Sequence, residues 1–167
     1  MILKQLAEFL DSNNIKYVVI RHSQAFTARE VATSTHIPGQ EIAKTVIVRL
    51  DEKPAMAVLP ASQMIDLHLL RDAAVVRKVE LAGEGEFNRL FPECEVGAMP
   101  PFGNLFGMDV LVADTLAQDE EIAFNAGTHR EIVRMSYSDF AVLVKPRVLR
   151  FTVERRVHPD IYESGIS

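Results

Sequence analysis

The sequence predicts one α+β domain built around a single mixed β-sheet with short helices packed outside. Three observations carry that prediction. The chain has 167 residues, the length of one domain. No internal repeat, low-complexity tract or long polar linker divides it. Short apolar runs of strand type and short runs of helical period follow one another without the strict alternation of a doubly wound sheet.

The elements follow in order. Ile2, Leu6, Phe9 and Leu10 share one helical face, and Asp11-Ser12-Asn13-Asn14 stops that helix. Tyr17 to Ile20 is a short β-branched strand. Thr27-Ala28-Arg29-Glu30 matches a capping box, so a short helix should run to about Thr35 before Pro38-Gly39. Lys44 to Leu50 and Ala55 to Pro60 read as a hairpin across the turn Asp51-Glu52-Lys53-Pro54. Ile65 to Leu70 reads as helix, Val75 to Val79 as strand, and Glu84 to Phe91 as a short helix ended by Pro92. Gly97-Ala98-Met99-Pro100-Pro101-Phe102-Gly103-Asn104 is a stiff loop, because proline fixes φ. Asp109 to Ala113 is a buried strand, and Glu121 to Asn125 and Glu131 to Ser136 are strands around Ala126-Gly127-Thr128-His129. Ser138 is placed to cap a last helix through Val144, ahead of Pro146. The domain is expected to span residues 1–150, with 151–167 as a C-terminal extension in which Phe151 to Glu154 can add a strand.

Hydrophobic residues make up 48% and charged residues 25%, which suits a globular chain able to hold its own core. The lone Cys94 excludes an internal disulfide and a multi-cysteine zinc site. Its neighbours Glu93 and Glu95 raise its pKa, which argues against a nucleophile. Lys4 and Glu8 interrupt the N-terminal apolar run, and no stretch reaches the length of a membrane span, so a cytoplasmic protein without a membrane partner is expected. The net charge of −5 argues against a general nucleic-acid binder and against DNA. Residues 130–156 nevertheless carry seven basic side chains against three acidic ones, which suggests a local basic face.

Several catalytic plans are absent from the sequence. It contains no Gly-x-Ser-x-Gly elbow, no phosphate-binding P-loop, no dinucleotide fingerprint and no His-Glu-x-x-His. The five histidines lack metal-ligand spacing, so neither a metal nor a cofactor is expected. Three features remain. Lys44 opens a strand that otherwise reads as core, and either its stem reaches water or its cation is aimed into a pocket. The Gly97-x-x-x-Pro101 loop is either a plain stiff turn or a wall whose backbone faces a ligand. His129 is either an exposed loop histidine or a site residue.

Together these segments resemble the YbaK/ProX aminoacyl-tRNA deacylase family, which includes the editing domain inserted in bacterial prolyl-tRNA synthetases. The resemblance covers about residues 1–145. It rests on Ala43-Lys44-Thr45-Val46-Ile47-Val48, on Gly97-Ala98-Met99-Pro100-Pro101-Phe102-Gly103, and on Asn125-Ala126-Gly127-Thr128-His129 with Ser138-Asp139-Phe140. It implies a mixed sheet or partial barrel with a pocket at one face. It also implies hydrolysis of the ester joining an amino acid to the 3′-terminal ribose of tRNA.

Carried over by residue, the resemblance puts Lys44 at the terminal adenosine phosphate or the ester. It sets the Gly97 to Pro101 loop, with Met99, against the aminoacyl group, and His129 with Gly127 in the pocket. Alanine-selective members carry a histidine at that place. Cysteine-selective members tend to carry an arginine there and an aspartate soon after, where this chain has Ile132. Alanine, most naturally on tRNA-Pro, is therefore the first expected substrate. The expected partner is the acceptor end of a mischarged tRNA, with an aminoacyl-tRNA synthetase as a further candidate.

Two flanking residues are expected to bind substrate. Thr45 adjoins Lys44, although strand alternation puts it on the opposite face unless the strand is twisted or bulged. Phe26 either walls the pocket or is a hydrophobic staple, the staple coming first. An activated ester needs a held carbonyl, a positioned water and a stabilised oxyanion rather than a covalent nucleophile. The neighbouring ribose hydroxyl can help with the water. The alternatives are a non-catalytic tRNA- or nucleotide-binding module and a hydrolase of another small ester.

Overall fold

The computed structural model describes residues 1–83, 85, 86, 89 and 91–155. In chain order the elements are α1 (Lys4–Ser12), β1 (Tyr17–Arg21), α2 (Ala28–Thr35), β2 (Ile42–Leu50), β3 (Lys53–Pro60), β4 (Gln63–Ile65) and α3 (Leu67–Ala74). Then come β5 (Val79–Leu81), a 3-10 turn (Gly103–Leu105), β6 (Asp109–Ala113), β7 (Glu121–Asn125), β8 (Glu131–Ser136), α4 (Tyr137–Val144), β9 (Arg147–Leu149) and β10 (Thr152–Glu154).

Among the described residues, eight strands form one mixed sheet in the order β1-β8-β7-β2-β3-β6-β9, with β5 added beside β2. A separate pair joins β10 to β4. This is the α+β mixed sheet with outlying helices that the sequence predicts.

β3 reads as an unbroken apolar run because both of its faces are covered. Met56 and Val58 enter the larger core with Leu6, Leu10, Phe102, Phe124 and Phe140, beneath α1 and α4. Ala55, Ala57 and Leu59 enter a second core with Leu70, Ala74, Leu111 and Phe151, beneath α3. A third cluster, Val31, Ile37, Ile42, Ala61, Ala123 and Ile132, seats α2.

Local chemistry sets the helix ends. Thr27 caps α2, its hydroxyl oxygen accepting from the Glu30 amide at 3.1 Å. The return contact is made by that same hydroxyl to Glu30 Oε1, 3.1 Å away. Three expectations are corrected. The helix read over Ile65 to Leu70 begins at Leu67, because the Asp66 carboxylate takes the amides of His68 and Leu69 at 2.9 and 3.0 Å and leaves Gln63–Ile65 extended. The strand read over Val75 to Val79 begins only at Val79. Val75 closes α3 in a left-handed conformation, and the Arg77 and Lys78 amides bond to Asp51 Oδ1 at 3.0 and 2.9 Å. Ser136 rather than Ser138 caps α4, accepting from the Asp139 amide at 3.1 Å, since Ser138 already lies in the first turn.

The helix expected over Glu84 to Phe91 falls in part on Glu84, Phe87, Asn88 and Leu90, which lie outside the described residues, as do Arg156 and residues 158–167. Phe151 is fully buried, and Thr152–Glu154 is the strand β10.

The basic segment is not one face. β8 and β9 stand on opposite sides of the sheet, with β7, β2, β3 and β6 between them, and adjacent strands are about 4.8 Å apart. Arg134 is engaged by Glu121 at 2.8 Å and Glu41 at 3.4 Å, while Arg147 and Arg150 lie at the far edge.

Candidate active site

The site begins with a seam in the sheet. One side of β2 is paired with β3 from Ala43 to Leu50. The other side pairs with β7 only at Ile42 and Ala43, and with β5 only from Val48 to Leu50. Glu41 O accepts from the Ala123 amide at 2.9 Å, and Ile47 O from the Ala82 amide at 3.0 Å. Alternate peptides of β2 therefore face that side, and Thr45 is the one that falls between the two partners.

The seam opens into a cleft of about 1020 Å³, at the upper end of the range of small-molecule pockets. Five consecutive residues, Ile42 to Val46, line it. That run departs from simple alternation. Ala43 and Ile47 pack in the core under α1 and α4, whereas Ile42 and Val48 pack under α2 and α3 on the other face. Lys44 thus emerges in the gap between the coverage of α2 and that of α3. Thr45 reaches the same cleft because the strand is exposed along its edge.

The cleft gathers Lys44, Thr45, Phe26, Gly97 and Met99 from separate segments, and adds Asn125 and Arg155. Phe26 is 62% exposed, too open for the ring of a hydrophobic staple, and its packing partner is His129, with ring centroids 4.9 Å apart. His129 itself is buried and does not belong to the cleft lining. Its Nε2 lies 2.6 Å from Val96 O, and its Nδ1 has no partner among the described residues. It stands behind Phe26. Pro101 is buried beneath the loop, and neither it nor Gly127 lines the cleft.

Gly127 instead fastens two loops together. Its amide donates to Ala98 O at 2.8 Å, and its carbonyl accepts from the Glu95 amide at 2.9 Å. Its φ of 101° is a glycine conformation, and a Cβ there would stand 3.0 Å from Leu3 Cβ. Gly97 also has positive φ, 88°, and its carbonyl accepts from Asn125 Nδ2 at 3.4 Å. Residues 95–98 and 125–129 therefore form one locked wall beside the seam.

Residues 22–143 match the family model of the aminoacyl-tRNA editing domain. The chain belongs to that family. Its resemblance to the YbaK/ProX deacylases holds, and the editing domain is an aminoacyl-tRNA hydrolase whose substrates are mischarged aminoacyl-tRNAs. The multifunctional Ser/Thr-tRNA deacylase ProXp-y of Escherichia coli K12 is 26% identical to it over 154 residues, 89% of this chain and 91% of that protein. Among solved structures, hypothetical protein APE2540 superposes with a TM-score of 0.79 at 18% identity, covering 90% of this chain and 100% of the other. A protein proposed as a trans-editing enzyme for prolyl tRNA synthetase superposes with a TM-score of 0.76 at 18% identity, covering 90% and 96%. At these identities the structural likeness is one of fold.

The electrostatics of the editing domain's cleft follow from burial. Desolvation pulls the Lys44 pKa below the ordinary lysine value, and repulsion from Arg155 adds to the effect. Asn125 Oδ1 is buried with no partner among the described residues, an acceptor waiting for a donor. Cys94 lies outside the cleft lining, and burial, then Glu93, pushes its thiol up to about 11. Among the described residues there is no cluster of three or more His, Cys, Asp or Glu side chains able to hold a metal. None of the described helices is long and apolar enough to cross a membrane. Asn125 opens the Asn125-Ala126-Gly127-Thr128-His129 segment, but nothing in the sequence marks its side-chain oxygen as unpartnered.

Proposed function

We propose that the cleft receives the 3′-terminal aminoacyl-adenosine of a mischarged tRNA and hydrolyses its ester, with alanine on tRNA-Pro as the first substrate. The observation that carries this reading is the open edge of β2, where Lys44 and the Thr45 peptide, which neither β7 nor β5 pairs, face a cleft of aminoacyl-nucleoside size.

The Thr45 amide is a donor for the developing oxyanion, and Lys44 supplies positive charge beside it. A water adds to the ester carbonyl, the bond to the ribose oxygen breaks, and that oxygen takes a proton. The products are the free amino acid and a tRNA with an unblocked ribose. The adjacent ribose hydroxyl orients the attacking water. Asn125 Oδ1 accepts from the substrate ammonium. Met99 and Gly97 wall the side-chain end, and His129 trims the pocket indirectly by fixing Phe26. Size must do the sorting, because one methylene separates substrates by only about 1–3 kcal/mol. Such a hydrolase works with the cytoplasmic translation machinery, alone or beside a synthetase.

One observation favours serine or threonine as a second reading. The lone acceptor Asn125 Oδ1 would equally take a side-chain hydroxyl, and the ProXp-y relative is named as a Ser/Thr-tRNA deacylase.

A panel of alanyl-, seryl-, threonyl- and cysteinyl-tRNAs on several acceptors tests both readings. Release of alanine from tRNA-Pro ahead of the others supports the first, and seryl or threonyl preference moves the assignment to the second. Lys44→Ala should lose deacylation by at least about 100-fold while its circular dichroism stays unchanged. Unchanged turnover would remove Lys44 from the mechanism. A substrate lacking the hydroxyl next to the ester should resist hydrolysis, and full activity on it rejects the assisted water.

A further inference from the structure

The family match ends at residue 143, yet one side chain beyond it reaches the cleft. Arg155 follows β10, and three anchors hold that strand. Phe151 is fully buried in the core under α3. β10 pairs antiparallel with β4 from Thr152 to Glu154. The buried side chain of Gln63 ties both ends down: its Oε1 accepts from the Thr152 hydroxyl at 2.6 Å and the Thr115 hydroxyl at 2.7 Å, and its Nε2 donates to Glu154 Oε1 at 3.0 Å. The chain therefore delivers Arg155 to the cleft from a fixed strand.

Once there, the guanidinium is out of balance. Its Nε is buried and has no hydrogen-bond partner among the described residues. Its field reaches Lys44, against which it acts as a like charge. Among the described residues that line the cleft the one carboxylate is Glu30, whose Oε1 is taken by the Thr27 hydroxyl. Lys44 and Arg155, with Arg29 also in the lining, outnumber that carboxylate three to one among the described residues, and the idle N–H of Arg155 makes this side of the cleft a receptor for an anion with several oxygens. Such an anion turns their mutual repulsion into shared attraction. Guanidinium suits phosphate by its forked donors, whereas the lysine acts as a point charge.

We propose that Arg155 is a substrate-binding residue that, with Lys44, holds the phosphate on the 5′ side of the terminal nucleoside, so that the C-terminal strand completes the site. This rests on the proposed acceptor-end reading for the identity of the nucleotide, but the anion site can be tested apart from hydrolysis.

The probes are AMP and adenosine, which differ by that one phosphate, titrated by calorimetry against the full chain. The wild type should prefer AMP by about ten-fold or more. Arg155→Ala should lose most of that preference while binding adenosine as before, and Arg155→Lys should recover part of it. With a mischarged tRNA that the wild type deacylates, Arg155→Ala should raise KM about ten-fold, leave kcat within about two-fold, and flatten the salt dependence of log KM by about 0.7. Any of three results overturns the proposal: no AMP preference in the wild type, equal losses on AMP and adenosine, or a fall in kcat at constant KM. Arg155-dependent AMP binding without deacylation of any charged tRNA would sink the hydrolase reading and leave this site standing.

Discussion

Lys44 carries its charge where burial and Arg155 both oppose it, and this has a measurable sign. Its folded pKa lies below its unfolded one, so between the two values the unfolded chain binds the extra proton. The Lys44 contribution to stability accordingly rises with pH through that window. Its charge, and the deacylation that depends on it, falls through the same window. Titration of 13C-labelled lysine should show one resonance moving at a lower pH than the surface lysines, and that resonance should be missing from Lys44→Ala. A Lys44 resonance titrating with the rest would contradict the burial. At this scale the sequence was informative where a residue broke a pattern. A lysine heading a core strand stands out in a one-dimensional reading. Asn125 and Arg155 do not, because an asparagine ending a strand and an arginine near a terminus are ordinary until their hydrogen-bond partners are counted in space. His129 stood out, but its place behind Phe26 depends on Val96 and on a ring contact that no spacing encodes.

Among the elements, those specified by neighbouring residues were legible. Thr27 and Glu30 announced α2, and the β2-β3 hairpin followed from two apolar runs around the turn read at Asp51 to Pro54, which the pairing of Leu50 with Lys53 shortens to Asp51-Glu52. Elements that exist only through a distant partner were missed or displaced. β4 has three residues and depends on β10, some ninety positions away in the chain. β9 likewise needs β6 to be a strand at all. The seam in β2 belongs with these, since nothing in Ala43 to Val48 says that its second neighbour changes from β7 to β5. The wall beside the seam gives a prediction of its own. Gly127→Ala puts a Cβ against Leu3 at a φ that alanine avoids, in the residue that ties residues 95–98 to 125–129. It should cost about 2 kcal/mol and lower Tm by about 6 °C, with deacylation falling further than stability alone explains. A variant with wild-type Tm would show that the wall yields without strain.

The molecule as a whole is organised around β3, which lies between two cores and separates the seam from the β6-β9 edge. That arrangement disperses the basic residues which look clustered along the chain, and it brings Arg155 back toward Lys44 by a route that charge counting could not trace. It also leaves a mark on solvent exchange. Lys44 and Val46 point their amides toward β3, so their hydrogens should exchange only when the sheet opens. The Thr45 amide faces the seam and should exchange orders of magnitude faster than either neighbour. A bound nucleotide or aminoacyl group that covers the seam would slow that proton selectively. The gap between two strands thus doubles as a native occupancy sensor, readable by amide exchange without any label on the ligand.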